Sequence, residues 1–114
     1  MEYKLTNDAD ALICVLYKEY LQRRKHSINK AEAQTFRSSE SIHKSHMSKW
    51  SYEDVDETCK ELSREGLLNC GYADNVVLSS QLSDSAIVYM ENRFKKGLSE
   101  ILDYIDKIAG IIKP

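Results

Sequence analysis

Apolar residues first recur along this chain at the spacing of a helix. Ala9, Leu12, Ile13, Leu16 and Tyr20 fall on one stripe, which Tyr17 and Leu21 widen. Positions three and four apart share a face of a 3.6-residue helix, so the pattern predicts a helix over residues 8–24. Asn7 is the expected N-cap, because its side-chain oxygen can accept from the free amides of the first turn. Arg23, Arg24 and Lys25 place cations at the negative end of the helix dipole. Asn29 is suited to cap a short helix over residues 30–36, and residues 40–46 read as another turn or two.

Residues 50–67 carry the clearest helix signals. Ser51 with Asp54 three residues later is a variant of the capping box, and Trp50 and Val55 stand at the two positions of a hydrophobic staple. Tyr52, Val55, Cys59 and Leu62 form the expected buried face. Glu53, Asp56, Glu57, Lys60, Glu61 and Arg64 are expected to point outward. Gly66 occupies the left-handed C-cap position, with Leu67 folding back on Leu62. Residues 67–72 and 76–81 are β-favouring runs around Ala73-Asp74-Asn75, which reads as a hairpin with a three-residue turn. Leu68, Cys70 and Tyr72 alternate on one strand; Val76, Leu78 and Ser80 alternate on the other. Ser83 caps a further helix over residues 84–95, with Ala86, Ile87, Met90 and Phe94 inward. Past Gly97, a last helix to residue 112 carries the seam Leu98, Ile101, Ile105, Ile108 and Ile112, flanked by Leu102.

Helices followed by a hairpin and two more helices make the plan of a winged helix-turn-helix. The expected class is α+β, mainly α, with a two-stranded wing and a helical C-terminal extension. Residues 1–96 form the domain. Residues 97–114 form an amphipathic helix that docks on helix one or pairs with a second copy. The dimerisation residues are then Leu98, Ile101, Leu102, Ile105, Ile108 and Ile112.

Charge distribution narrows the partners. The net charge is only −2, but residues 22–49 hold seven cations against two acids, and residues 50–92 hold two cations against nine acids. The first block predicts phosphate contact with double-stranded DNA through Arg23, Arg24, Lys25, Lys30, Arg37, Ser39, His43, Lys44 and Lys49, with Lys60 on the third helix. That third helix is mostly negative on its outer face, and duplex DNA repels such a surface. A wing tip with an acid and no cation reads simply as a turn.

Catalysis finds little support. The chain has four glycines and no Gly-rich phosphate loop, no HExxH and no GxSxG. His43 and His46 share one helical face, yet zinc needs about four ligands, and neither a metal nor another cofactor is expected. Cys14, Cys59 and Cys70 are odd in number and include no CxxC pair, which favours buried reduced thiols in a cytoplasmic protein. The N-terminus has no signal-peptide core, and no apolar run approaches the roughly 18 residues of a membrane span.

The run ELSREGLLNCGYADNVVLSSQLSDSAIVYMENRF resembles the stretch around the wing of the YjcQ-like winged-helix proteins of Gram-positive bacteria and their prophages. The matching positions are Leu62, Gly66, Leu67, Leu82, Ser83, Ala86, Tyr89, Met90 and Glu91. Ala86 stands where glycine is also found, and residues 37–50 are longer than a minimal helix-turn-helix turn. The resemblance implies a DNA-binding, homodimeric transcriptional regulator associated with a phage or mobile element. The alternative function is a protein-interaction module on a winged-helix scaffold that no longer binds DNA.

Overall fold

The computed structural model describes residues 3–114; the first two residues of the expected 1–96 domain lie outside the described residues. The chain is mainly helical, with one two-stranded antiparallel sheet: α1 (Asn7–Lys25), α2 (Lys30–Gln34), α3 (Ser39–His46), α4 (Tyr52–Arg64), β1 (Leu68–Ala73), β2 (Val76–Leu82), α5 (Asp84–Arg93), α6 (Leu98–Lys107) and α7 (Ala109–Ile112). This order is compatible with a winged-helix arrangement. No helix among the described residues is long and apolar enough to cross a membrane.

α1 is the central element. Every residue from Ala11 to Tyr17 is buried, so the helix is enclosed rather than one-sided. It packs against α2, α4, α6 and α7. Its N-cap is Thr6, not Asn7: the Thr6 hydroxyl accepts from the Ala9 amide at 3.1 Å. The same hydroxyl donates to Glu61 Oε1 at 2.7 Å, and the Thr6 amide donates to Glu61 Oε2 at 3.0 Å. Glu61 therefore reaches across to the start of α1 instead of standing free in water, which is why the cap shifts by one residue.

The short helices begin on side-chain caps. Asn29 accepts from the Glu32 amide and Ser38 from the Ser41 amide. Residues 35–36 between them lie along β2, through a Thr35–Gln81 bridge and a Phe36 amide bond to Ser80 O at 2.9 Å. α4 is capped by Ser51, whose hydroxyl accepts from Asp54 N at 3.1 Å, and Trp50 and Val55 are both buried at its entrance. It stops at Gly66 with φ +75, where Leu67 N bonds Leu62 O and Gly66 N bonds Ser63 O. That 6→1 and 5→2 pair is a Schellman motif, and its left-handed residue suits glycine. Val55, Cys59 and Leu62 are fully buried as expected; Tyr52 is only half-buried.

The hairpin departs from expectation in two places. Ala73 pairs with Val76, so the turn has two residues, Asp74 and Asn75, both at positive φ (50° and 61°). That is the backbone of a type I′ turn, whose twist matches the strands it joins. Gly71 pairs with Ser79 but Tyr72 with Val77, leaving Leu78 as the extra residue of a bulge. The bulge reverses the parity of β2. Val77, not Val76 or Leu78, enters the core, while Leu78 is 56% exposed. Gly71 fits beside the bulge because any Cβ there would lie 2.6 Å from Ser79 Oγ.

α5 is capped by Ser83 and buries Ala86, Ile87 and Met90, with Phe94 just beyond its end. It stops two residues before the expected residue 95. The last helix is divided: α6 ends at Lys107 and α7 begins at Ala109. Both pack on α1 of the same chain. Trp50 Nε1 donates to Ile111 O at 2.9 Å and fastens the C-terminus to the α3–α4 connection.

Candidate nucleic-acid interface

Of the residues expected to touch phosphates, Arg23 and Arg37 line one groove, while Lys49 stands apart from Arg24 and Lys25. Arg24 and Lys25 end α1, whereas Lys49 borders a recess with Asp8 and Asp54 at the other end of that helix. Nineteen helical residues span about 28 Å, so Lys49 is separated from Arg24 and Lys25 by the length of α1.

Many members of the basic block are also occupied. Arg23 donates from Nη1 to Ala33 O at 3.2 Å and Thr35 O at 2.8 Å, pairs with Glu19 at 3.4 Å, and lies 4.5 Å above the Phe36 ring. It is an internal brace between α1 and α2. Arg24 donates to Ile28 O at 3.2 Å. Lys30 pairs with Asp84 at 3.3 Å and Lys44 with Glu40 at 2.9 Å, both on the surface. His43 Nε2 is 2.7 Å from Trp50 O, and the ring of His46 lies edge-on to Phe36. Burial pushes the His46 pKa down, helped by Arg23 and Lys18 and opposed by Glu19. The side chains of Lys25, Arg37 and Lys49 carry no ion pair among the described residues.

Ser39 and Lys60 belong to a different structure altogether. Ser39 is fully buried, and its hydroxyl donates to Asp56 Oδ1 at 2.6 Å. The same oxygen accepts from the Val77 amide at 3.0 Å, while Lys60 Nζ is 3.1 Å from Asp56 Oδ2. Asp56, expected to face outward, is thus the junction of α3, α4 and β2. Burial pushes its pKa up, but the bonds from Ser39, Val77 and Lys60 outweigh burial and hold it below the usual carboxylate range. Ser39 is consequently closed to any ligand.

A second junction escaped the sequence reading. Asp10 accepts from both Arg93 Nη1 and Nη2, and from the Tyr104 hydroxyl at 2.7 Å. The Arg93 guanidinium packs on both the Phe94 and Tyr104 rings, 4.8 and 4.7 Å from their centroids, and the two rings also touch each other, with centroids 5.5 Å apart. This group joins α1, α5 and α6. Asp10 lies 83 and 94 positions from Arg93 and Tyr104, so no local spacing announces the group.

What remains exposed on α4 is Glu53, Asp54, Glu57 and Arg64. The adjoining hairpin adds Asp74 and no cation, with Tyr72 (49% exposed) and Leu78 as apolar projections. Of the expected dimer seam, Ile101 and Ile112 are buried within the chain, Leu98, Ile105 and Ile108 are half-buried, and Leu102 is exposed. Cys14 and Cys59 are buried and their thiols pushed up to about 12, by burial first, so neither is a thiolate at neutral pH. No group of three His, Cys, Asp or Glu side chains is placed to hold a metal among the described residues. Compared with protein-family models, with curated proteins and with solved structures, the chain finds no match.

Proposed function

We propose that the chain is a winged-helix module that binds another protein through the face made by α4 and the hairpin. The scaffold is supported by the order of α1, the residue 35–36 edge, α3, α4 and hairpin, with α4 bonded to both α3 and β2 through Asp56. The observation that carries the choice of partner is the charge of α4: Glu53, Asp54 and Glu57 are exposed against Arg64 alone. In a winged helix this is the element that enters the major groove. Duplex DNA carries about one negative charge per 1.7 Å, so the approach of this face is repelled at every separation within the screening length. A cationic protein surface is attracted instead, and Tyr72 and Leu78 offer it apolar anchors at the rim.

The second reading is a DNA-binding regulator, favoured by the unpaired Arg37 next to the start of α3 and by the likeness of residues 61–94 to a family of such proteins. Fluorescence anisotropy on a labelled random duplex separates the two. We expect no saturable binding at micromolar protein in about 50 mM salt. Tight binding there that weakens a hundredfold or more by about 200 mM salt establishes the DNA reading instead.

A further inference from the structure

An open groove of about 530 Å³ lies between α2 and the outer edge of β2, lined by Arg23, Ala31, Glu32, Thr35, Arg37 and Gln81. Two features make it unlike an ordinary basic surface. The Arg23 guanidinium is already fixed by two backbone carbonyls, by Glu19 and by the Phe36 ring, yet its Nη2 edge has no protein acceptor among the described residues. Arg37 faces the same groove from a left-handed backbone at φ +64. That conformation is uncommon for a non-glycine residue, and here it is held in place. The neighbouring Phe36 amide bonds Ser80 O, and the buried Ser80 hydroxyl donates to Arg37 O at 2.7 Å.

We propose that this groove binds a small molecule through a single oxyanion, a carboxylate or a phosphate, gripped between Arg23 and Arg37. An oxyanion matches the geometry because guanidinium edges donate paired, charge-assisted hydrogen bonds to such groups. Much of the entropy cost of holding a long cation is already met, since Ala33 O, Thr35 O, Glu19 and Phe36 hold Arg23 before any ligand arrives. Glu32 on the same wall sets the limit: it opposes a second negative charge, so a singly charged group suits the groove better than a polyanion such as DNA. Arg37 is also the residue that favours the DNA reading, so the test includes a duplex to separate the two.

The test follows the guanidinium nitrogen signals of Arg23 and Arg37 by NMR in the full chain. Sodium phosphate, sodium acetate, sodium chloride and a short random duplex are titrated in turn at matched ionic strength. We expect saturable shifts at both arginines and at the Thr35 and Gln81 amides with phosphate or acetate but not with chloride; whichever saturates identifies the oxyanion. Arg37→Asn keeps a residue that tolerates the left-handed backbone and removes the charge, and it is expected to weaken binding about tenfold, the loss of one charge-assisted hydrogen bond. Shifts identical with chloride, or none, overturn the site. Shifts that appear only with duplex DNA overturn it as a small-molecule site. The wild-type titration decides between these even if the variant folds poorly.

Discussion

Asp56→Ala is expected to lower the unfolding free energy by about 3–4 kcal/mol, the range for breaking a buried charge junction by removing one member. Three donors lose Asp56 together: the Val77 amide, the Lys60 ammonium, and the Ser39 hydroxyl, which falls back on its weaker contact with Val77 O at 3.3 Å. Val77 lies in the core, so its amide finds no water without the hairpin moving away from α4. Urea unfolding of wild type and variant reads the difference, and amide exchange at Val77 and Ser80 locates it. Asp56→Asn keeps one carbonyl acceptor and is expected to lose less. A variant as stable as wild type removes the junction from the account.

Asp10→Ala is expected to cost about 2–3 kcal/mol, less than Asp56 because the group is partly open to solvent. The Arg93 guanidinium stays packed against Phe94 and Tyr104 with its counter-ion gone, and the Tyr104 hydroxyl loses its acceptor. The damage falls on the attachment of α6 to α1, so amides of residues 98–107 exchange faster while α4 and the hairpin keep their protection. Asp10 and Asp56 also set the acid limit together. Burial raises the pKa of Asp10, but Arg93 and Tyr104 outweigh it, as the donors around Asp56 do there, and both carboxyls end below their ordinary value. A carboxyl with a depressed folded-state pKa stabilises the fold above its unfolded value of about 3.9, and the contribution drains as pH falls through the folded value. Stability therefore falls from about pH 4 downward in the wild type, and less steeply in either alanine variant.

The legible parts of this chain were those fixed by contacts within a few residues. The Ser51 cap, the Gly66 stop, the Ser83 cap and the inward stripe of α5 each involve partners at most five positions apart, and each stands where its spacing puts it. Parity along β2 was not legible, because one extra residue at Leu78 exchanges the two faces and leaves the composition of the strand unchanged. Asp56 misled for a related reason. A charged residue beside a buried stripe reads as solvent-facing until the Ser39 hydroxyl and the Val77 amide, 17 and 21 positions away, turn it inward. The Lys60 partner four residues on was the one local sign of it. Within the basic block, the separation of Lys49 from Arg24 and Lys25 was not legible, because the chain between them returns to the other end of the 19-residue α1.

Whether α4 is barred from DNA by its own charge is measured most directly by reversing that charge. Glu53→Lys with Glu57→Lys alters two exposed positions and leaves the Asp56 junction intact. Asp103→Lys with Asp106→Lys makes the same change in net charge on exposed α6 positions. Titrated against one random duplex in low salt, the α4 reversal should gain salt-sensitive binding, at least tenfold tighter than the α6 reversal, while the wild type stays unbound. Equal binding by the two reversals, or firm binding by the wild type that the α4 reversal leaves unchanged, contradicts it.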